Sequence, residues 1–310
     1  MVLDAVDRVG LVDDRMGRGK GTSLAPPPEV VVECVQRALD EDLKPDGDLT
    51  AAILSEDVVV VAAMGVRSTG VLAGSDCANE AFRQVDSAVR VDWRRNEGDV
   101  VKAGEAIATV VGPLGSVLTA ERTALNFLGH LSGIATLVAQ WVEVAGTDAV
   151  VWDTRKTTPG LRVLEKAAVR AGGGANHRAN LSEWVMIKDN HLFDTDIATM
   201  VQAARSRWPD RIVHVECDEI CQLRQALEVG VDAVLLDNMA PAEVKACVDL
   251  VAEWEGERPL LEASGGITLD VLADYAATGV DCISSGVLTS SAPALDVGLD
   301  ISPDLEGLFE

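Results

Sequence analysis

Aromatic side chains are scarce in this chain: one tyrosine, four phenylalanines and six tryptophans among 310 residues. That is too few to line a stacking platform for nucleic-acid bases. Positive charge is short as well. Twenty-six Lys and Arg face fifty Asp and Glu, a formal net charge of -24, so a long phosphodiester backbone is repelled over most of the surface. No run of 18 or more apolar residues is present, which excludes a membrane-spanning helix. The stretch from Met1 to Lys20 is charged and has no apolar core segment, so it does not read as a secretory signal. The six cysteines (Cys34, Cys77, Cys217, Cys221, Cys247 and Cys282) are scattered through a chain too large to need a disulfide scaffold. Cys217 and Cys221 stand four apart, but no second pair or histidine spacing completes a zinc site. These absences predict a soluble cytoplasmic protein with neither nucleic acid nor membrane as partner.

What is present concentrates between Asp153 and Asn190. Arg155, Lys156, Arg162, Lys166, Arg170, Arg178 and Lys188 oppose only Asp153, Glu165, Glu183 and Asp189 there. The local balance is +3, which leaves -27 for the rest. A small anion responds to such a cluster whatever the net charge, because clefts focus the field and salt screens charges beyond about 8–10 Å. The expected ligand is small, highly anionic and held in a pocket.

Along the chain, residues 1–24 read as a flexible tail ending at Pro26-Pro27-Pro28. Ala38 to Thr50 reads as a turn-rich acidic patch. Val58–Val66 and Gly70–Ala73 read as strands, Ala78–Val85 as a short helix, and Arg94 to Val111 as turns around short β segments. Apolar residues from Leu125 to Trp141 recur at helical spacing, one long helix or two broken near Ser132-Gly133. After residue 148 a rhythm sets in. Short apolar runs close on polar or glycine residues: Ala149–Trp152 into Asp153, Trp184–Ile187 into Lys188, Ile212–Val215 into Glu216, Ala233–Leu236 into Asp237, Leu260–Leu261 into Glu262-Ala263-Ser264, and Cys282–Ile283 into Ser284-Ser285-Gly286. Helical patterns such as Ile220–Val229, Pro241–Trp254 and Thr268–Thr278 lie between them. Buried strands alternating with covering helices imply a parallel sheet. The fold class expected is α/β: an open or irregular β/α barrel, with a smaller N-terminal α/β sandwich domain. A doubly wound open sheet is the alternative, and in either the site lies at the carboxyl ends of the strands. The domain boundaries expected are a tail over 1–24, the sandwich over 25–133 with 289–310 returning to it, and the barrel over 134–288.

The strand ends sort by chemistry. Arg155, Lys156, His177, Arg178 and Lys188 come first and bind carboxylate or phosphate oxygens. Glu216 and Asp237 follow and accept from sugar hydroxyls or hold Mg²⁺ through water; the alternative is that they are ion-pair partners of buried cations. Ser264-Gly265-Gly266 and Ser285-Gly286 come last and offer backbone amides to a terminal phosphate. The sum describes a phosphorylated sugar beside a multiply anionic second substrate. Glu165, Lys166 and Arg170 read as a solvated helix face, His130 and His191 as structural histidines, and His214 as buried mid-strand.

Three blocks carry a family resemblance: Asp153-Thr-Arg-Lys-Thr-Thr-Pro-Gly-Leu-Arg162, Gly172-Gly-Gly-Ala-Asn-His-Arg178 and Ile187-Lys-Asp-Asn-His191. Glu121-Arg-Thr-Ala-Leu-Asn-Phe-Leu128, Leu236-Asp-Asn-Met239 and Glu262-Ala-Ser-Gly-Gly-Ile267 support them. From about residue 29 to 301 the chain resembles quinolinate phosphoribosyltransferase, the decarboxylating nicotinate-nucleotide pyrophosphorylase. The resemblance implies a two-domain protomer paired head-to-tail, a homodimer or higher even-numbered oligomer. It implies transfer of phosphoribosyl from phosphoribosyl pyrophosphate (PRPP) to quinolinate, releasing CO₂ and pyrophosphate, with Mg²⁺ as cofactor carried by PRPP and no metal bound directly by the protein. By the same resemblance Arg155, His177, Arg178 and Lys188 surround the quinolinate carboxylates and Arg122 reaches in from the partner protomer. Lys156 contacts pyrophosphate, Glu216 and Asp237 the ribose, and Ser264, Gly265, Gly266, Ser285, Gly286 and Ser290 the phosphate side. One departure stands out. After Gly286-Val-Leu-Thr289 the family usually has His-Ser, whereas here Ser290-Ser291 offers a hydroxyl that carries no charge. Weaker PRPP binding or another anionic acceptor are the alternatives that departure leaves open, the latter in a related member of the superfamily.

Overall fold

The computed structural model describes residues 23–55 and 57–302. The tail expected over 1–24 lies outside the described residues, save its last two. The chain divides into two compact units, one holding Gln140–Lys156 and Gly174–Val287, the other holding Ser23–Ala139, Thr157–Gly173 and the residues from 288 on.

The second of these opens with helix α1 (Pro28–Leu43), which has proline at its first position and buries Val31, Cys34, Val35 and Leu39 along one stripe. Helix therefore runs through the first half of the region read as an acidic turn patch. The apolar stripe continues to Leu39, and Asp40 accepts from Lys44 at 2.7 Å at the helix end. Strands β1 (Val59–Val66) and β2 (Gly70–Val71), helix α2 (Ser75–Val85), and strands β3 (Arg90–Trp93), β4 (Val100–Val101) and β5 (Ala106–Pro113) follow. Helix α3 (Leu114–Ala145) is one unbroken element, passing through Ser132-Gly133 without interruption.

Beyond it come β6 (Val150–Trp152), α4 (Arg162–Ala171), β7 (Val185–Ile187), α5 (Ile197–Arg207), β8 (Val213–Cys217), α6 (Ile220–Val229), β9 (Ala233–Asp237), α7 (Pro241–Ala252), β10 (Leu260–Ser264), α8 (Leu272–Ala276), β11 (Cys282–Ser284), α9 (Val287–Ser290) and β12 (Val297–Ser302). A four-stranded sheet is antiparallel in the order β12-β1-β5-β3, so β12 returns to pair with β1, and β2 and β4 form a separate antiparallel pair.

The larger sheet is parallel, in the order β6-β11-β10-β9-β8-β7. That order is cyclic: consecutive strands are neighbours, and β11 joins back to β6. A doubly wound sheet would reverse its order partway. Trp152 of β6 shares one apolar cluster with Trp184, with Met186 of β7, and with Ala233, Leu235, Leu260 and Cys282, so the two edge strands curl round a common interior. No ladder joins β6 to β7 among the described residues. The result is an open, six-stranded β/α barrel in one unit and a smaller antiparallel sheet in the other, as the alternation of runs and helices predicts.

Candidate active site

Parallel strands bring their carboxyl ends to one rim, and the chemistry follows the strands. Asp153 follows the last residue of β6, Lys188 the last of β7, and Ser285 the last of β11. Glu216 lies within β8, and Asp237 and Ser264 end β9 and β10. Register sets these groups level: Asp237 pairs with Ser264, Ser284 with Trp152, and Ile187 with Val215. The strand ends predicted from sequence are thus brought together within a single unit.

On the first side of the rim, Asp153 is fully buried and holds the neighbouring loop. It accepts from the His177 amide at 2.8 Å and from Asn176 Nδ2 at 2.7 Å, fastening the loop after α4 to the end of β6. The Arg178 guanidinium, 6% exposed, donates to the Trp184 carbonyl at 3.3 Å. Burial, then the neighbouring Arg155, hold it below the usual arginine range. A buried guanidinium that already feels a second one is a strong site for a polyanion. His177 packs between Trp152 and Trp184 at ring distances of 5.4 and 5.0 Å.

Across the rim, the Lys188 ammonium pairs with Glu216. The ion-pair alternative for Glu216 is therefore realised, yet Lys188 keeps 41% exposure and stays within reach of a ligand. Its backbone amide donates to His191 Nδ1 at 2.9 Å, which gives His191 a structural task. Burial pushes the Glu216 carboxyl up against the opposing pull of Lys188, and Asp237 adds repulsion. Asp237 is raised by burial too, offset in part by Lys188 and Lys156.

The phosphate-side residues are built for close approach. Gly265 has φ +93°, and a Cβ there would sit 2.4 Å from Asn238 Oδ1 and 2.6 Å from its backbone nitrogen; only glycine fits. Gly266 has φ +63° and open space around it. A Cβ on Gly286 would meet Lys156 Cδ at 2.6 Å, so the lysine stem lies directly over this glycine. Ser284 Oγ donates to Ser264 Oγ at 3.1 Å, and the Ser285 amide donates to the Trp152 carbonyl at 3.2 Å, tying β6, β10 and β11 together.

Inside the barrel lie three polar residues to which the sequence pattern assigned no joint role: His177, His214 and Glu262. His214 is fully buried, as expected mid-strand, and burial pushes its imidazole down to about 3, so it is neutral. Burial alone would raise Glu262, yet His177 and His214 hold its carboxyl at about 2.

Two predicted residues belong to the other unit. Arg122, on α3, lines a cavity of about 430 Å³ together with Arg37, Asn126, His130 and Thr158. Ser290 ends α9, exposed, with its Oγ 3.2 Å from that of Ser291. In this unit the solvated-face reading of α4 fails: Glu165 is fully buried and Lys166 is 4% exposed. Glu165 bonds His130 Nε2 at 2.8 Å and the Thr158 amide at 3.1 Å, and Arg162 Nε donates to Thr157 Oγ1 at 2.9 Å. An acid and a base from α4 thus shape the turn that follows Lys156. The signal available was local: charge spacing on a helix does not reveal a histidine 35 positions upstream.

Comparison with known proteins identifies the family. The C-terminal domain of quinolinate phosphoribosyl transferase matches residues 134–300 and the N-terminal domain of the same family matches 48–132. A nicotinate-nucleotide pyrophosphorylase (carboxylating) of Mycobacterium leprae is 40% identical over 274 residues, 87% of this chain and 96% of that one. The human protein of that name is 39% identical over 287 residues, 91% of this chain and 95% of its own length. The solved nicotinate-nucleotide pyrophosphorylase of Francisella tularensis superposes with a TM-score of 0.86 at 34% identity, covering 91% of this chain and all of that one.

Proposed function

Given that the chain belongs to the quinolinate phosphoribosyltransferase family, we propose how its own residues carry out that family's reaction. The chain is a decarboxylating phosphoribosyltransferase of NAD biosynthesis, converting quinolinate and PRPP to nicotinate mononucleotide, CO₂ and pyrophosphate. The observation that carries the residue assignment is the meeting, on one barrel rim, of clustered cations, two raised carboxylates and two glycine turns.

Arg155, Arg178, His177 and Lys188 hold the two carboxylates of quinolinate. The cost of keeping Arg155 and Arg178 close is relieved when the dianion arrives. Glu216 and Asp237 accept from the ribose hydroxyls and lie under the cationic, oxocarbenium-like carbon that develops as pyrophosphate departs. Lys156 stabilises the departing pyrophosphate, while Ser264, Gly265, Gly266, Ser285 and Gly286 seat the 5'-phosphate on backbone amides. The quinolinate nitrogen is the nucleophile, so no protein nucleophile is required. Once ribosylated, the ring is a pyridinium that accepts the electron pair left by the departing carboxylate, and a proton then fills C2. Mg²⁺ carried by PRPP would be held through water by Glu216 and Asp237, whose mutual repulsion a cation would relieve, and would supply neutralising charge to PRPP.

Purified protein given quinolinate, PRPP and Mg²⁺ should release nicotinate mononucleotide and CO₂ in equal amounts. Absence of product from folded protein would refute the assignment.

The resemblance further supports a homodimer in which Arg122 serves the partner's site. Arg122→Ala and Lys156→Ala proteins, each inactive alone, should then regain part of the activity when subunits are exchanged. Confirmed exchange without rescue would mean that each chain completes its own site. A cytoplasmic location accords with six free thiols, five of them buried, and no helix among the described residues is long and apolar enough to cross a membrane.

A further inference from the structure

Under the rim, the barrel interior holds a charged group that the reaction scheme leaves unused. Glu262 projects inward from β10 and is fully buried. Its Oε2 lies 3.2 Å from His177 Nε2 and 3.5 Å from His214 Nε2. The two imidazoles stack at 5.7 Å, with Trp184 6.5 Å from His214. One carboxylate therefore meets two histidines in a chamber otherwise walled by Trp152, Trp184, Leu235 and Cys282.

Two histidines and a glutamate whose ligand atoms all lie within 4.8 Å of one another also have the composition of a divalent-metal site. The surrounding charge argues against that occupant. Arg178 and Lys188 already act on His214, and Arg178 feels Glu262 as a stabilising anion. A divalent cation would join a group of cations and remove the negative charge that balances them. The other buried acid nearby, Asp153, has one oxygen on the His177 amide and the other on Asn176.

We propose that Glu262 is a positioning residue for the acid-binding wall: its carboxylate faces Nε2 of both His177 and His214 at ion-pair distance, fixing the His177 ring, and it supplies the buried counter-charge to Arg178. His214 takes part as a neutral imidazole from below, so the carboxylate stands between two imidazoles. This rests on the reading that His177 and Arg178 grip the quinolinate carboxylates. It adds that their grip depends on a residue that never touches the substrate. An unpaired buried charge is costly, and so is a buried histidine with no acceptor, which is why these groups occur together.

Glu262→Gln keeps the shape and removes the charge. The KM for quinolinate should rise at least tenfold, while the KM for PRPP changes less than twofold and kcat at saturating quinolinate changes less than fivefold. A folded variant with unchanged quinolinate KM would overturn the proposal. Should the variant fail to fold, nitrogen-15 imidazole spectra of the wild-type protein decide instead. Both His177 and His214 should carry a proton on the Nε2 that faces Glu262, and an unprotonated Nε2 on His177 would refute the arrangement. Stoichiometric zinc in the purified protein, lost with Glu262→Gln, would equally overturn it in favour of a metal site. Wild-type protein that forms no product yet shows both Nε2 protons would remove the reading of the substrate while sustaining the geometry.

Discussion

His214 and Glu262 illustrate how one residue's environment reverses its ordinary behaviour. A histidine whose folded pKa falls from 6.5 to about 3 takes up its proton in the unfolded chain well before the folded one does. Between those values the unfolded state binds more protons, so stability rises with pH and is lost on acidification. Glu262, lowered from 4.5 to about 2, contributes in the same direction over a lower window, its stabilisation complete above 4.5 and lost as pH falls toward 2. Glu216 and Asp237, raised by burial, act the opposite way just above the usual carboxylate range. From pH 6.5 to 5 the histidine dominates. Measured against His214→Gln, which keeps a donor but cannot titrate, the wild-type unfolding free energy should fall by on the order of 1 kcal/mol per pH unit across that interval. Parallel urea-denaturation curves for the two proteins would contradict a buried neutral His214. The same pair shows the limit of reading residues singly. His214 was legible as buried from its place in an apolar strand, but its partner lies on another strand, 48 positions on by sequence number.

Elements were legible wherever periodicity was strong. The barrel strands stand within two or three residues of the expected runs, and α6 spans Ile220–Val229 as the apolar spacing predicts. Misreadings came where polar residues disguised burial. In α1 the acidic Glu41-Asp42 pair concealed a helix whose buried stripe ends at Leu39. In α4 the i,i+4 pair Lys166 and Arg170 suggested a solvated face, although Glu165 beside it is buried against His130. Within α3, a break was one of two options at Ser132-Gly133, and the glycine has another use. A Cβ at Gly133 would lie 2.1 Å from the Pro293 carbonyl oxygen, and the Leu295 amide donates to the Gly129 carbonyl at 2.9 Å, so the segment entering β12 lies directly on this helix face. In an exposed helix, Gly→Ala adds about 1 kcal/mol of stability. Gly133→Ala should instead destabilise by roughly 1–3 kcal/mol, because backbone must move. A gain in stability on denaturant unfolding would show that the close approach is absent.

At the scale of the whole chain, the distribution of charge says more than its total. The stretch from 153 to 190 is positive within a protein of net charge -24, and Arg155, Lys156, Arg178 and Lys188 from it stand at or beside the barrel rim. Topology explains why spacing alone placed the candidate residues on one rim: each βα repeat returns the chain to the same end of the sheet, so residues roughly 20–30 apart in sequence become neighbours. What spacing does not reveal is depth. Asp153 orients a loop through the backbone amide of His177, and Glu262 lies below the rim, and neither task has a sequence periodicity. Crystals of the protein with bound quinolinate put the residue assignment to the test. The carboxylates should lie within hydrogen-bonding distance, about 3 Å, of the Arg155 and Arg178 guanidiniums, with the ring nitrogen facing the side of Glu216 and Asp237. Quinolinate bound elsewhere, with these two arginines left in solvent, would contradict it.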